Sequence, residues 1–298
     1  MTDKKSGEFW ANRVRVFSAQ PERLLRESDW RKPLPNVYGL EGRMKSRFEI
    51  TALQATLLGV NQFRRATCFL PDEAFSLKRL HILSEQECAS SIGGPTIGGK
   101  CVLGHVFVRD NFDPEIFIAI LCHELLHALS YYWIDIRPKS IVTADGLKIP
   151  FFLQRRHGML LIDPSFGTML PHFHGLNEYA TEHAAIVVRN VIARKTQLLD
   201  EGQKKILRSF VSSPPLLQFF SDLITMAVPN EKQQAAFHCV LYADYFQGTD
   251  NFLQMLEKDI PGVTEVLRRT GAKPAELFKA AEELGMTKTA EFISQHIK

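Results

Sequence analysis

The stretch AILCHELLHALS, Ala119 to Ser130, constrains this chain more than any other. Residues four apart on an α-helix share a face, so His123 and His127 can present two imidazoles to one metal ion. Glu124 stands beside that face and can reach a water on the ion. H-E-x-x-H is therefore a pattern of two zinc ligands plus a general base. The flanking Ile120, Leu121, Leu125, Leu126, Ala128 and Leu129 are uncharged, which predicts a buried helix. Burying polar groups without partners is costly, and a metal ion would account for two histidines and a glutamate in such a place. The competing reading is a core helix whose histidines make ordinary hydrogen bonds. Asp113 as N-cap, Pro114 in the first helical position and Glu115 near the positive end mark where the helix starts. Its apolar run is expected to continue through Tyr131 and Tyr132 as packing residues.

A catalytic zinc site needs a third protein ligand and leaves one position open. The metzincin continuation requires Gly at 130 and His at 133, where the chain has Ser130 and Trp133. An aspartate-type continuation from Gly167-Thr168 requires Asp at 171, which is Pro171. What remains is LNEYATEH, Leu176 to His183, inside a second strongly helical segment, GLNEYATEHAAIVVRNVIARK. Glu178 and Glu182 share a face there, so one can bind the ion while the other hydrogen-bonds a ligand imidazole.

His123-Glu124-x-x-His127 followed by Asn177-Glu178-x-x-Thr181-Glu182 resembles the gluzincin metallopeptidases, the thermolysin-like class, which carry H-E-x-x-H on one helix and N-E-x-x-[ST]-[DE] on the next. Toxin metalloproteases of the lethal-factor type, with similarly long gaps between the motifs, are a second comparison. The likeness covers the two helices and the strand before them. It implies an α+β fold with a zincin-like catalytic domain, a small sheet packed with the two helices, and zinc-dependent hydrolysis of a peptide or protein substrate. By that resemblance Zn2+ is the cofactor, His123, His127 and Glu178 are its ligands, and Glu124 is the general base. Glu182 would orient a ligand histidine, His123 first of all, with Asn177 beside it outside the ligand set. An oxyanion donor is also implied. His174 is slightly favoured over His172 for that role, and Tyr242 and Tyr245 are alternatives better explained as helix core. The strand CVLGHVFVRD would offer its edge to the substrate backbone, with His105 structural.

The other residues near the motifs read as ordinary. Tyr179 is expected in the core and His183, about 100° from the face of Glu182, at solvent or as an outer partner. Cys122 is set aside as a nucleophile because neighbours on a helix do not face each other. The five cysteines, none in C-x-x-C, are expected to be reduced, small and buried, in an intracellular, cytoplasmic chain with no signal-like start. With 45% hydrophobic and 23% charged residues a sizeable core is expected. A net charge of +3 argues for neither a nucleic-acid nor a membrane partner.

The expected organisation is a loosely structured lead-in over 1–45, a metallopeptidase domain over 46–200 and a helical region over 201–298. EITALQATLLGVNQF reads as a helix, LKRLHILS as a strand, SIGGPTIGGK as a loop and GLKIPFFLQRRHGMLLIDPS as a hairpin or irregular insert. Breaks in the C-terminal helices are expected at Pro214-Pro215, Pro229, Gly248, Pro261-Gly262 and Gly271. Two other functions fit the same pattern: a metal-binding interaction module without activity, and an effector-like protease specific for one protein.

Overall fold

Apolar residues at helical spacing in Glu49–Phe63 produce α1 (Arg47–Cys68), which a capping box holds at its start: Glu49 N–H donates to the Ser46 hydroxyl, and Ser46 N–H to the Glu49 carboxylate. The computed structural model describes residues 14–16, 40–91, 98–102, 104–142, 148–162 and 171–297. Of the expected lead-in, only β1 (Val14–Val16) and residues 40–45 fall within them. The fold is α+β and mostly helical, with two small sheets among the described residues.

The first sheet has the order β2 (Leu80–Leu83), β4 (His105–Arg109), β3 (Gly99–Val102). A short helix, α2 (Glu85–Ser91), follows β2. LKRLHILS is thus half strand, because Leu77–Arg79 form a 3-10 turn capped by Ser76. CVLGHVFVRD is two strands rather than one. Gly104, at φ 72°, turns the chain so that β3 and β4 pair antiparallel. Gly99 and Lys100, expected in a loop, belong to β3, and residues 92–97 lie outside the described ones.

The H-E-x-x-H helix is α3 (Pro114–Leu129). Asp113 is its N-cap residue, though its side chain makes no capping bond. The helix stops one turn sooner than its apolar run suggests. Ser130 turns its hydroxyl back to the His127 carbonyl, and the aromatic and β-branched residues that follow enter β5 (Tyr132–Val142). β5 pairs antiparallel with β6 (Lys148–His157), which pairs with β7 (Leu160–Ile162), so the insert is a hairpin. β8 (Pro171–His172) completes the second sheet, ordered β1-β5-β6-β7-β8.

The second motif lies on α4 (His174–Lys195). The remaining helices are α5 (Glu201–Ser209), α6 (Pro214–Ala227), α7 (Glu231–Gln247), α8 (Asn251–Asp259), α9 (Val263–Arg269), α10 (Pro274–Glu283) and α11 (Thr287–Ser294). They break at the expected residues: Pro214 opens α6, Gly248 ends α7 in the left-handed region, and Gly262 precedes α9. Most buried apolar residues from Ala52 to Ile293 make one core, with α3 and α4 packed together inside it, while Leu83, Cys88 and Phe107 form a small separate cluster. No helix among the described residues is long and apolar enough to cross a membrane. Cys68, Cys88 and Cys122 are buried and Cys101 is partly so, whereas Cys239 is exposed, because its position on α7 faces solvent.

Candidate metal centre

Packing α3 against α4 brings three of the predicted side chains to one point. His123 Nε2 and His127 Nε2 are 3.1 Å apart. Glu178 Oε2 is 3.3 Å from the first and Glu178 Oε1 is 3.4 Å from the second. Zinc–nitrogen and zinc–oxygen bonds of 2.0–2.1 Å at the tetrahedral angle would separate ligand atoms by about 3.3 Å. The two imidazole nitrogens are close to that spacing, each Glu178 oxygen faces one of them, and with one ligand atom from each residue His123, His127 and Glu178 form a group within 4.8 Å that could hold a metal ion.

The hydrogen bonds around the imidazoles fix which nitrogen faces inward. His123 Nδ1 donates to Glu182 Oε2 at 3.1 Å. The Thr181 hydroxyl donates to the Asn177 carbonyl and accepts from the Tyr245 hydroxyl at 2.8 Å. His127 Nδ1 is then the donor toward both oxygens, each 3.3 Å away. Both Nε2 atoms are left with lone pairs pointing at each other and at a carboxylate, an arrangement that calls for positive charge. Burial disfavours a proton on His123, but the hydrogen bonds and charges of Glu178, Glu182 and Glu124 outweigh it and hold the imidazole well above its ordinary pKa. A metal ion would supply the same charge, so the donor set fits one.

Glu124 is buried beside the cluster. Burial raises its carboxyl above the usual range, and the two histidines pull the other way. β3 lies directly on it: a Cβ on Gly99 would come within 2.9 Å of Glu124 Cγ, and the Cys101 backbone N–H bonds to its carboxylate. Glu182 is almost fully buried and bonds His123, as expected of the orienting carboxylate. Burial alone would raise its pKa, but the hydrogen bond from His123 and the charge of Arg189 bring it down to about 2.

The other expected residues divide. His174 stands one turn before Glu178, partly exposed, with Nε2 3.8 Å from Glu178 Oε1. His172 is buried and faces Arg268 instead. Asn177 is not at the ligand atoms. Its Oδ1 accepts from the N–H groups of Met159 and Leu160 and clamps the β6–β7 turn, because the α4 backbone directs it toward that hairpin. Cys122 is buried near the Ala185 carbonyl, and burial pushes its thiol up to about 12. His105 is buried and bonded to His81, and Tyr179 is core.

Three contributors carry no local signal. Tyr245, from α7, touches His127 through its hydroxyl. His157, from β6, donates to the His127 carbonyl at 2.9 Å and stacks on Tyr132. Arg189 holds Glu182. Thr181 and Glu182 lie within the second motif and could be found there, whereas Tyr245 and His157 come from other elements and Arg189 lies two turns beyond the motif on α4.

His183 departs from expectation. It sits between α4 and α7, with Nδ1 accepting from the Tyr242 hydroxyl and its ring stacked 4.3 Å from that of His238. Burial, then the neighbouring His238, lower it to about 4. A depressed folded-state pKa means that its contribution is complete above the unfolded value near 6.5 and is lost as pH falls toward 4. Between pH 6.5 and 5 the loss should be on the order of 2 kcal/mol. Urea unfolding at pH 7 and pH 5 checks this, since His183→Leu should show a smaller drop than the wild type. Equal drops would refute the assignment.

No protein family, curated protein or solved structure matches the chain.

Proposed function

We propose that this chain is a gluzincin-type zinc metalloendopeptidase with a zincin-like catalytic domain. The observation that carries the reading is the convergence of His123, His127 and Glu178, whose ligand atoms lie within 4.8 Å of one another, with a buried carboxylate, Glu124, next to them. Zinc bound there would supply a Lewis acid and an acidified water. Glu124 takes the proton from the attacking water and passes it to the leaving amine. Its raised pKa suits it to both steps. His174, at the partly exposed edge of the cluster 3.8 Å from Glu178, would donate to the developing oxyanion. β3 ends the three-stranded sheet among the described residues and lies against Glu124, so an extended peptide adding to it would pass the base.

Glu124→Gln tests the base. The amide keeps the shape and leaves the three ligands in place, so zinc content should equal that of the wild type. Peptide hydrolysis should fall by at least about 100-fold. A variant that hydrolyses at the wild-type rate would exclude Glu124 as base. A zinc-loaded wild type that cleaves neither unstructured peptides nor folded proteins would favour an inactive metal-binding module.

A further inference from the structure

Glu182 divides its two oxygens between two neighbourhoods. Oε2 accepts from His123. Oε1 accepts from Arg189 Nη2 at 2.9 Å and from the Ser212 backbone N–H at 3.3 Å. The same Arg189 nitrogen donates to the Phe210 carbonyl at 2.8 Å, and its guanidinium lies over the Phe210 ring. Phe210 and Ser212 belong to the connection between α5 and α6.

Arg189 is fully buried, yet its Nε and Nη1 have no hydrogen-bond partner among the described residues. A buried cation with unused donors is a poor source of stability, and an apolar side chain of similar volume would often serve the fold as well or better. The ion pair that this charge makes is with Glu182. Without it, a carboxylate 1% exposed keeps its charge at a high desolvation cost, or is left with the Ser212 N–H alone at Oε1, or turns away from His123. Any of these weakens the hold on His123 Nδ1, and the basicity and aim of Nε2 depend on that hold.

We propose that Arg189 is a positioning residue for the metal centre. It acts on His123 through the Glu182 carboxylate and makes metal affinity depend on the α5–α6 connection. This rests on the metal-centre reading above, and the test separates the two.

Zn2+ dissociation constants would be measured by chelator competition on the full chain for wild type, Arg189→Met, Glu182→Gln and the double variant, with thermal unfolding of each metal-free protein alongside. Each single substitution should weaken binding about 10- to 100-fold, the range for losing an outer partner of a ligand histidine. The double variant should bind within about 3-fold of Glu182→Gln, because Arg189 has nothing left to act through. A merely structural arginine would lower the melting temperature and leave the dissociation constant unchanged, or its effect would add in full to that of Glu182→Gln. Either result overturns the proposal. If Arg189→Met alone fails to fold, Arg189→Lys is measured in both backgrounds by the same criterion. A wild type that binds no zinc removes the metal centre and this inference together. A wild type that binds zinc indifferently to Arg189 removes the inference alone.

Discussion

Glu178→Ala protein is expected to fold and to purify without stoichiometric zinc. Glu178 is a quarter exposed, and its carboxylate faces the two imidazoles, so its loss leaves no empty core. It removes the only negative charge among the three proposed ligands and leaves two neutral donors, below the three a catalytic zinc site uses. The fall in affinity should exceed the roughly 100-fold that losing an outer partner costs. Elemental analysis of wild type, Glu178→Ala and Glu182→Ala side by side checks it. One zinc per wild-type chain, lost in the first variant and weakened in the second, is the expected pattern. Stoichiometric zinc in Glu178→Ala would sink the ligand assignment. No zinc in a reconstituted wild type would return α3 to an ordinary core helix.

Gly158→Ala should be the most damaging single methyl addition near the site. Gly158 turns the β6–β7 hairpin at φ 57°, a conformation that costs an alanine roughly 1–2 kcal/mol. Its new Cβ would also stand 2.6 Å from Asn177 Oδ1 and 2.6 Å from the Tyr245 ring. Asn177 clamps this turn and Tyr245 supports His127, so neither can move without loosening the cluster. Relieving such overpacking adds about 1–3 kcal/mol, for a total of roughly 2–5 kcal/mol. Urea unfolding of the metal-free proteins measures it directly. A change within about 0.5 kcal/mol would mean that the turn and Tyr245 yield freely.

The helices were legible because their signals are local. The Pro114 start and the glycines at 248 and 262 act within a turn or two of chain. Where a boundary was misread, two local signals competed. The apolar run past Leu129 argued for helix, while Ser130 and the aromatic, β-branched residues after it favoured a strand. Gly104 divides a segment whose composition is strand-like throughout, because a hairpin turn needs only one residue able to take a positive φ.

For the centre, the sequence by itself determined the donor types and their helical spacing: His123 and His127 on one face of α3, Glu178 and Glu182 on one face of α4. Spacing along a helix fixes direction through the backbone geometry and needs no partner. Only the tertiary structure decided that the two faces meet and that Tyr245, His157 and Arg189 complete the surroundings. It also turned Asn177 to the hairpin and packed His183 against α7. The physical reason is that burial and hydrogen-bond pairing belong to the packed interior as a whole. A tyrosine 118 positions from its histidine has no local property that distinguishes it from any other tyrosine in the core.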